Sequence, residues 1–98
     1  MERKIYNYDG QSVYLEIANY LNNDTLAVLM FSVNGEPYGA VTVNLCSPFQ
    51  SHNMAFVDEN NMPGIGNWLV SNNIAETLHL SQNSGYCSYP LYKFNFHI

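Results

Sequence analysis

Basic side chains are almost missing from this sequence. Arg3, Lys4 and Lys93 are its only lysines and arginines, so residues 5–92 carry seven carboxylates and no Lys or Arg. Proteins that bind DNA or RNA neutralise phosphates with these two residue types, and anionic membrane surfaces attract the same residues. The charge distribution therefore argues against nucleic acid and against membranes as direct partners.

Long apolar runs and cysteine motifs are also missing. No apolar stretch approaches the roughly 20 residues of a membrane span, and the charged residues 1–9 are not followed by the apolar core of a signal peptide. Cys46 and Cys87 match no metal or redox spacing, and we expect both to be buried or half-buried thiols. The sequence predicts a soluble cytoplasmic protein; in an exported one, a Cys46–Cys87 disulfide could form.

Uncharged polar residues are abundant in this sequence, whereas charged residues are few. Only 11% of the 98 residues are charged and 47% are apolar, where globular chains average about 25% charged, so we expect one folded domain over residues 1–98. Fourteen Asn and eight Tyr supply hydrogen bonds without charge. Asn is also a common turn residue, and Tyr is enriched at protein interfaces.

The first half of the chain has the pattern of an antiparallel meander over residues 11–45. Residues 13–18 alternate, with Val13, Leu15 and Ile17 on one face, and residues 25–33 are apolar on both faces as in a central strand. Asn34-Gly35 predicts a two-residue type I′ hairpin. The next strand is expected from about Tyr38 to Leu45.

The second half predicts shorter elements. Residues 54–57 form a fourth strand, and residues 58–61 form a loop whose side chains cap a short helix. Ile65, Trp68 and Leu69 have the spacing of its buried face, residues 82–85 form a turn, and Pro90 marks an edge or a bend in the extended aromatic tail 86–96. The predicted fold class is α+β: a single domain with a twisted antiparallel sheet of about four to five strands and one short helix.

No motif predicts catalysis or a cofactor. His52, His79 and His97 belong to no paired site, and residues 58–61 lack the ligand spacing of an EF-hand. The glycines of residues 64–66 lack the remaining residues of a phosphate-binding loop. We therefore predict a non-enzymatic protein without a metal site or cofactor.

Three segments together resemble a known group of proteins: residues 42–45 (TVNL), 57–63 (VDENNMP) and 84–94 (SGYCSYPLYKF). They are similar to a family of small proteins of unknown function encoded on conjugative elements, plasmids and phages of Gram-positive gut bacteria. The resemblance extends from about residue 12 to residue 94. It implies a mobile-element context and assigns no catalytic residues.

This context and the acidity together predict a non-catalytic protein-interaction domain. Small acidic proteins of mobile elements often occupy basic surfaces of host defence nucleases, as anti-CRISPR and antirestriction proteins do, and opposite charge speeds such association. The expected partner is a basic protein surface, and a homodimer through a Tyr-rich edge strand is a further candidate. The predicted contact residues are Asp58, Glu59, Glu36, Tyr38 and Tyr89.

Two alternatives stay open. A glycan- or small-ligand-binding module needs several aromatic rings exposed together on one face, whereas we expect Tyr14, Tyr20 and Tyr38 to be scattered or covered. A small Cys/His enzyme needs a cleft that brings one of the cysteines to a histidine.

Overall fold

The computed structural model describes residues 4–95, which form eight β-strands and one α-helix. No helix within this range is long and apolar enough to cross a membrane. The elements are β1 Tyr6–Tyr8, β2 Gln11–Asn19, β3 Leu26–Ser32, β4 Pro37–Ala40, β5 Thr42–Val43, β6 Met54–Val57, α1 Ile65–Ser71, β7 Ala75–Ser84 and β8 Cys87–Phe94.

The strands form two antiparallel sheets of four, in the orders β1-β2-β3-β4 and β5-β6-β8-β7. This confirms the α+β class, the N-terminal meander and the single short helix. The number of sheets differs from the prediction because the expected strand from Tyr38 to Leu45 is divided at Val41. The Val41 N–H donates to the Val28 carbonyl, and its carbonyl accepts from the Asp58 N–H, both at 2.9 Å. These two bonds pass the chain from the first sheet to the second.

Two turns shape the first sheet. Asp9 and Gly10, with φ of 52° and 80°, form a tight connection between β1 and β2, of the kind that requires positive φ at both residues. The Asn34-Gly35 hairpin is present, but only Gly35 has positive φ, and its N–H donates to the Ser32 carbonyl at 2.8 Å. The predicted type I′ turn is therefore wrong, and a longer loop with one left-handed glycine replaces it.

In the second sheet, β8 lies between β6 and β7. Pairing with β6 ends at Leu91, so Pro90 has a neighbouring strand on one side only. The opposing strand β7 is irregular between Thr77 and Ser81, where His79 has φ of 56°. The edge predicted from Pro90 is confirmed, whereas the irregular backbone lies on the opposing strand β7. The turn expected at residues 82–85 lies later, because β7 continues to Ser84.

The core fills the space between the two sheets and α1. Ile65 and Leu69 of the helix are fully buried, as predicted, and Trp68 packs against the core from its rim. Burying one such aliphatic side chain stabilises a fold by about 1.5–3 kcal/mol. The fully buried side chains of the sheets include Val13, Val28, Met30, Val41, Phe56, Val57 and Phe94.

A network of side-chain amides joins the β2–β3 turn to the loop after β5. The Asn44 side chain donates to Asn22 Oδ1 (2.9 Å) and accepts from Asn23 Nδ2 (3.0 Å), both in the turn, and it also accepts from the Cys46 N–H and from the Gln50 side chain. The Asn residues therefore connect distant segments as well as fill turns.

Candidate functional site

Three aromatic rings from three different elements meet beside α1. The ring of Tyr8 on β1 lies 5.2 Å from that of Trp68 and 5.5 Å from that of Tyr38, measured between ring centroids. Both pairs meet edge to face, at 82° and 88°. The Trp68 indole N–H donates to the Asn7 carbonyl at 2.7 Å, which ties β1 to the helix and fixes the position of the indole.

Tyr38 reaches this cluster because of an irregularity in β4. Met30 pairs with Gly39 and Phe31 pairs with Pro37, so Tyr38 is an extra residue without a partner on β3. An extra residue of this kind bends the strand and redirects a side chain. Its ring consequently contacts Tyr8 although two strands separate β1 from β4.

The rings form one side of a cleft of about 440 Å³, within the range of 300–1,000 Å³ usual for ligand sites. Asp9 supplies a carboxylate and Asn61 an amide, and no lysine or arginine is part of this lining. We call this cleft the aromatic cleft; it is lined by Tyr8, Asp9, Tyr38, Asn61, Met62, Pro63, Gly64 and Trp68.

The loop before α1 forms another wall of the aromatic cleft, and two carboxylates hold this loop in place. Glu59 accepts from the N–H groups of Gly64 and Gly66, at 2.9 and 2.6 Å. Asp58 accepts from the backbone and the side chain of Asn61, at 3.2 and 2.8 Å. A carboxylate at a helix N-terminus satisfies free N–H groups and complements the helix dipole. The predicted capping role of this loop is confirmed.

The charged side chains that act on the cleft are the carboxylates of Asp9 and Glu59. Burial raises the pKa of the Tyr8 phenol, and the charges of Tyr38, Asp9 and Glu59 raise it further. Burial, followed by the charge of Glu59, likewise raises the pKa of Tyr92. The phenol of Tyr8 therefore remains neutral at physiological pH and offers both a donor and an acceptor.

A comparison with protein families gives one match, to the family described as "Domain of unknown function (DUF4313)", over residues 14–97. The chain belongs to this family. Comparisons with curated proteins and with solved structures give no match. Tyr38, Asn61 and Trp68 of this DUF4313 domain lie inside the matched range, and Tyr8 and Asp9 precede it. The expected membership of an uncharacterised family is confirmed.

The five predicted contact residues of the DUF4313 domain have different surroundings. Tyr38 lines the cleft, and Glu36 is exposed in the β3–β4 turn. Tyr89 lies against the loop before α1: burial raises the pKa of its phenol, as do a hydrogen bond with Cys87 and the charge of Asp58. Asp58 is only 6% exposed and Glu59 is half-buried. Their carboxylates hold the loop, which counts against direct contact of Asp58 with a partner.

The sequence analysis missed Tyr8 and Asp9 as site residues and treated Trp68 only as a buried helix residue. Asp-Gly between alternating apolar residues is a strong hairpin signal. With it, β1 and β2 could have been predicted as a hairpin that carries Tyr8 and Asp9 at its tip.

Tyr14, Tyr20 and the two cysteines, which were named for the alternative functions, lie outside the cleft that Tyr38 lines. Tyr14 is buried and stacked on Phe31, and Tyr20 shares a hydrogen bond of 2.9 Å with Thr42, so both are covered as expected. Cys87 is half-buried, but the prediction for Cys46 is wrong because this thiol is exposed.

The metal and histidine predictions concern the same part of the chain. Within residues 4–95, no three His, Cys, Asp or Glu side chains are grouped as metal ligands would be. His52 and His79 are exposed, and His97 lies outside the described residues.

Proposed function

We propose that this DUF4313 domain is a non-catalytic binding module that associates with a basic surface on a protein partner. The observation that carries the proposal is the aromatic cleft, which combines Tyr8, Tyr38 and Trp68 with the Asp9 carboxylate and has no basic residue in its lining. Tyr and Trp are enriched among the residues that contribute most to protein interfaces.

The charges next to the cleft support the same function. The β1–β2 and β3–β4 turns lie at one end of the first sheet, since the Val33 N–H at the end of β3 donates to Ser12 at the start of β2. These turns carry the exposed carboxylates of Asp9 and Glu36. Carboxylates at one end of a molecule steer a positively charged partner toward that end.

We further propose that the domain is encoded on a mobile genetic element, as the resemblance implies. It then acts in the cytoplasm of a host cell and occupies the basic nucleic-acid channel of a defence nuclease, as an inhibitor of the anti-CRISPR or antirestriction type. The acidity of residues 5–92 supports this role, because the positive charge of a channel that binds phosphates also attracts carboxylates.

Affinity capture from the host, followed by kinetics with the purified partner, tests the proposal. We expect a basic protein whose association rate falls as salt rises, and which the Glu36→Gln variant binds more slowly. Glu76→Gln is the matched control, because Glu76 is also exposed but lies on β7 of the other sheet. A partner bound equally fast at low and high salt would contradict the proposal.

A glycan-binding module is the second candidate, because three aromatic rings and the Asn61 amide line one cleft. Sugars stack on exposed flat ring faces, whereas these rings stand at 82° and 88° to one another. Saturable binding on a sugar array that is lost in the Tyr38→Ala variant would favour this candidate over the protein partner.

A further inference from the structure

The rings of the aromatic cleft meet edge to face. Tyr38 stands nearly perpendicular to Tyr8, and Tyr8 nearly perpendicular to Trp68. All three rings also line the cleft, and the negative face of an aromatic ring attracts ammonium and guanidinium groups. A planar guanidinium can therefore lie against a ring face that borders the cleft.

The carboxylates in and beside the cleft also favour a cationic ligand. Asp9 lines the cleft, Glu59 is close enough to Tyr8 to influence its phenol, and none of the lining residues is Lys or Arg. An anionic ligand would be repelled by the carboxylates and by the negative faces of the rings. A cationic ligand gains both an ion pair and cation–π contacts.

The cleft is also formed before any ligand binds. The indole of Trp68 is fixed by its hydrogen bond to Asn7, and Glu59 fixes the wall formed by the loop before α1 through Gly64. Asp9 is held in a two-residue turn with φ of 52°. A site whose groups are already in place loses little conformational entropy on binding.

We propose that the aromatic cleft receives one arginine side chain of the basic protein partner, with its guanidinium against the aromatic lining and paired with the Asp9 carboxylate. This inference rests on the proposed function for its choice of a protein as the source of the cation. Arginine fits better than lysine because its guanidinium is planar, weakly hydrated, stacks on aromatic rings and can pair with a carboxylate through two hydrogen bonds.

Short blocked peptides that differ in one side chain test the proposal directly. The probes contain arginine, lysine or citrulline, the last being a neutral analogue of arginine with almost the same shape. Trp68 is the only tryptophan and lines the cleft, so its fluorescence reports occupancy. We expect a saturable change with the arginine peptide and at least tenfold weaker binding of the citrulline peptide, since a charge-assisted pair is lost.

Asp9→Asn is the decisive variant. Asn also adopts the left-handed conformation that Asp9 has in its turn, so the turn should persist while the charge is lost, and arginine binding should weaken about tenfold. Asp24→Asn is the matched control: Asp24 is an exposed turn residue with φ of 58°, at the opposite end of β2. Tyr38→Ala should weaken binding several-fold through loss of one ring.

Several results would overturn the proposal. These are equal binding of the arginine and citrulline peptides, equal binding of the lysine peptide, an Asp9→Asn variant that binds as tightly as the original, or occupancy of the cleft by a neutral sugar instead. Comparison with the captured partner separates the two proposals. If the partner binds normally to Asp9→Asn and Tyr38→Ala, the arginine site is wrong while the binding function stands. If arginine peptides bind but basic proteins do not, the binding function is wrong.

Discussion

Replacing Gly66 by alanine should destabilise the domain, although alanine is the better helix former. Gly66 is buried in the first turn of α1. A Cβ atom there would lie 2.7 Å from a Glu59 oxygen and 2.8 Å from the Tyr92 ring carbon that bears the hydroxyl, and it would also collide with that hydroxyl. The first turn of α1 packs this closely against Glu59 and Tyr92 because residue 66 has no side chain.

The expected magnitude follows from three contributions. Overpacking a filled site costs about 1–3 kcal/mol, and displacing Glu59 weakens its charge-assisted bond to the Gly66 N–H, worth about 1.5–3 kcal/mol. The higher helix propensity of alanine offsets about 1 kcal/mol of this loss of stability. We expect a net loss of about 2–4 kcal/mol in the free energy of unfolding, which for a domain of this size lowers Tm by roughly 10–20 °C.

Urea denaturation measures this change, and two further variants show its origin. Asn67→Ala is the control, because residue 67 is the exposed neighbour in the same turn and should gain a few tenths of a kcal/mol from helix propensity. Tyr92→Phe in the Gly66→Ala background removes the hydroxyl that the Cβ meets and should restore part of the loss. A Gly66→Ala variant as stable as the original would refute the argument from close packing.

Three other predictions concern separate parts of the fold. Asn44→Ala should lower the free energy of unfolding by about 1 kcal/mol, measured by urea denaturation, because it removes four hydrogen bonds whose mostly exposed partners then bond to water; no change would show that the amide network is dispensable. Burial raises the pKa of Tyr20 above the usual 10.0, so the folded state holds this proton more tightly. Stability should fall as pH rises above about 10, and the fall should be shallower in Tyr20→Phe. A thiol reagent should modify the exposed Cys46 before the half-buried Cys87; serine variants identify which thiol reacts.

Local sequence patterns predicted most of the first sheet. Alternation gave β2, the continuous apolar run gave β3, and residues 54–57 match β6. The division of the chain at Val41 could not be predicted, because it depends on hydrogen bonds to Val28 and Asp58, which lie 13 and 17 residues away in the sequence. A strand that changes sheets keeps an ordinary strand sequence on both sides of the change.

The candidate site was less predictable than the fold, because it too depends on contacts between residues that lie far apart in the sequence. Tyr38 was identified, but its redirection depends on the register between β3 and β4, which the sequence of β4 alone does not encode. Asp58 and Glu59 were predicted both to cap the helix and, from the acidity of the chain, to contact a partner. In the structure, the N–H groups of Asn61, Gly64 and Gly66 need acceptors, and the two carboxylates turn inward to supply them.

Net charge and the aromatic cleft should control different steps of partner binding. Lys93 is exposed on β8 directly opposite Glu76, so the surface of the domain is not purely acidic, and the acidic character is a local property of the cleft and its neighbouring turns. For a partner bound as proposed, exposed charge acts over the distance of approach and changes the association rate, whereas groups desolvated in contact change the dissociation rate. Glu36→Gln should therefore slow association with little effect on dissociation, and Asp9→Asn should mainly speed dissociation. If both variants altered only the association rate, Asp9 would be acting as surface charge and no side chain would enter the cleft.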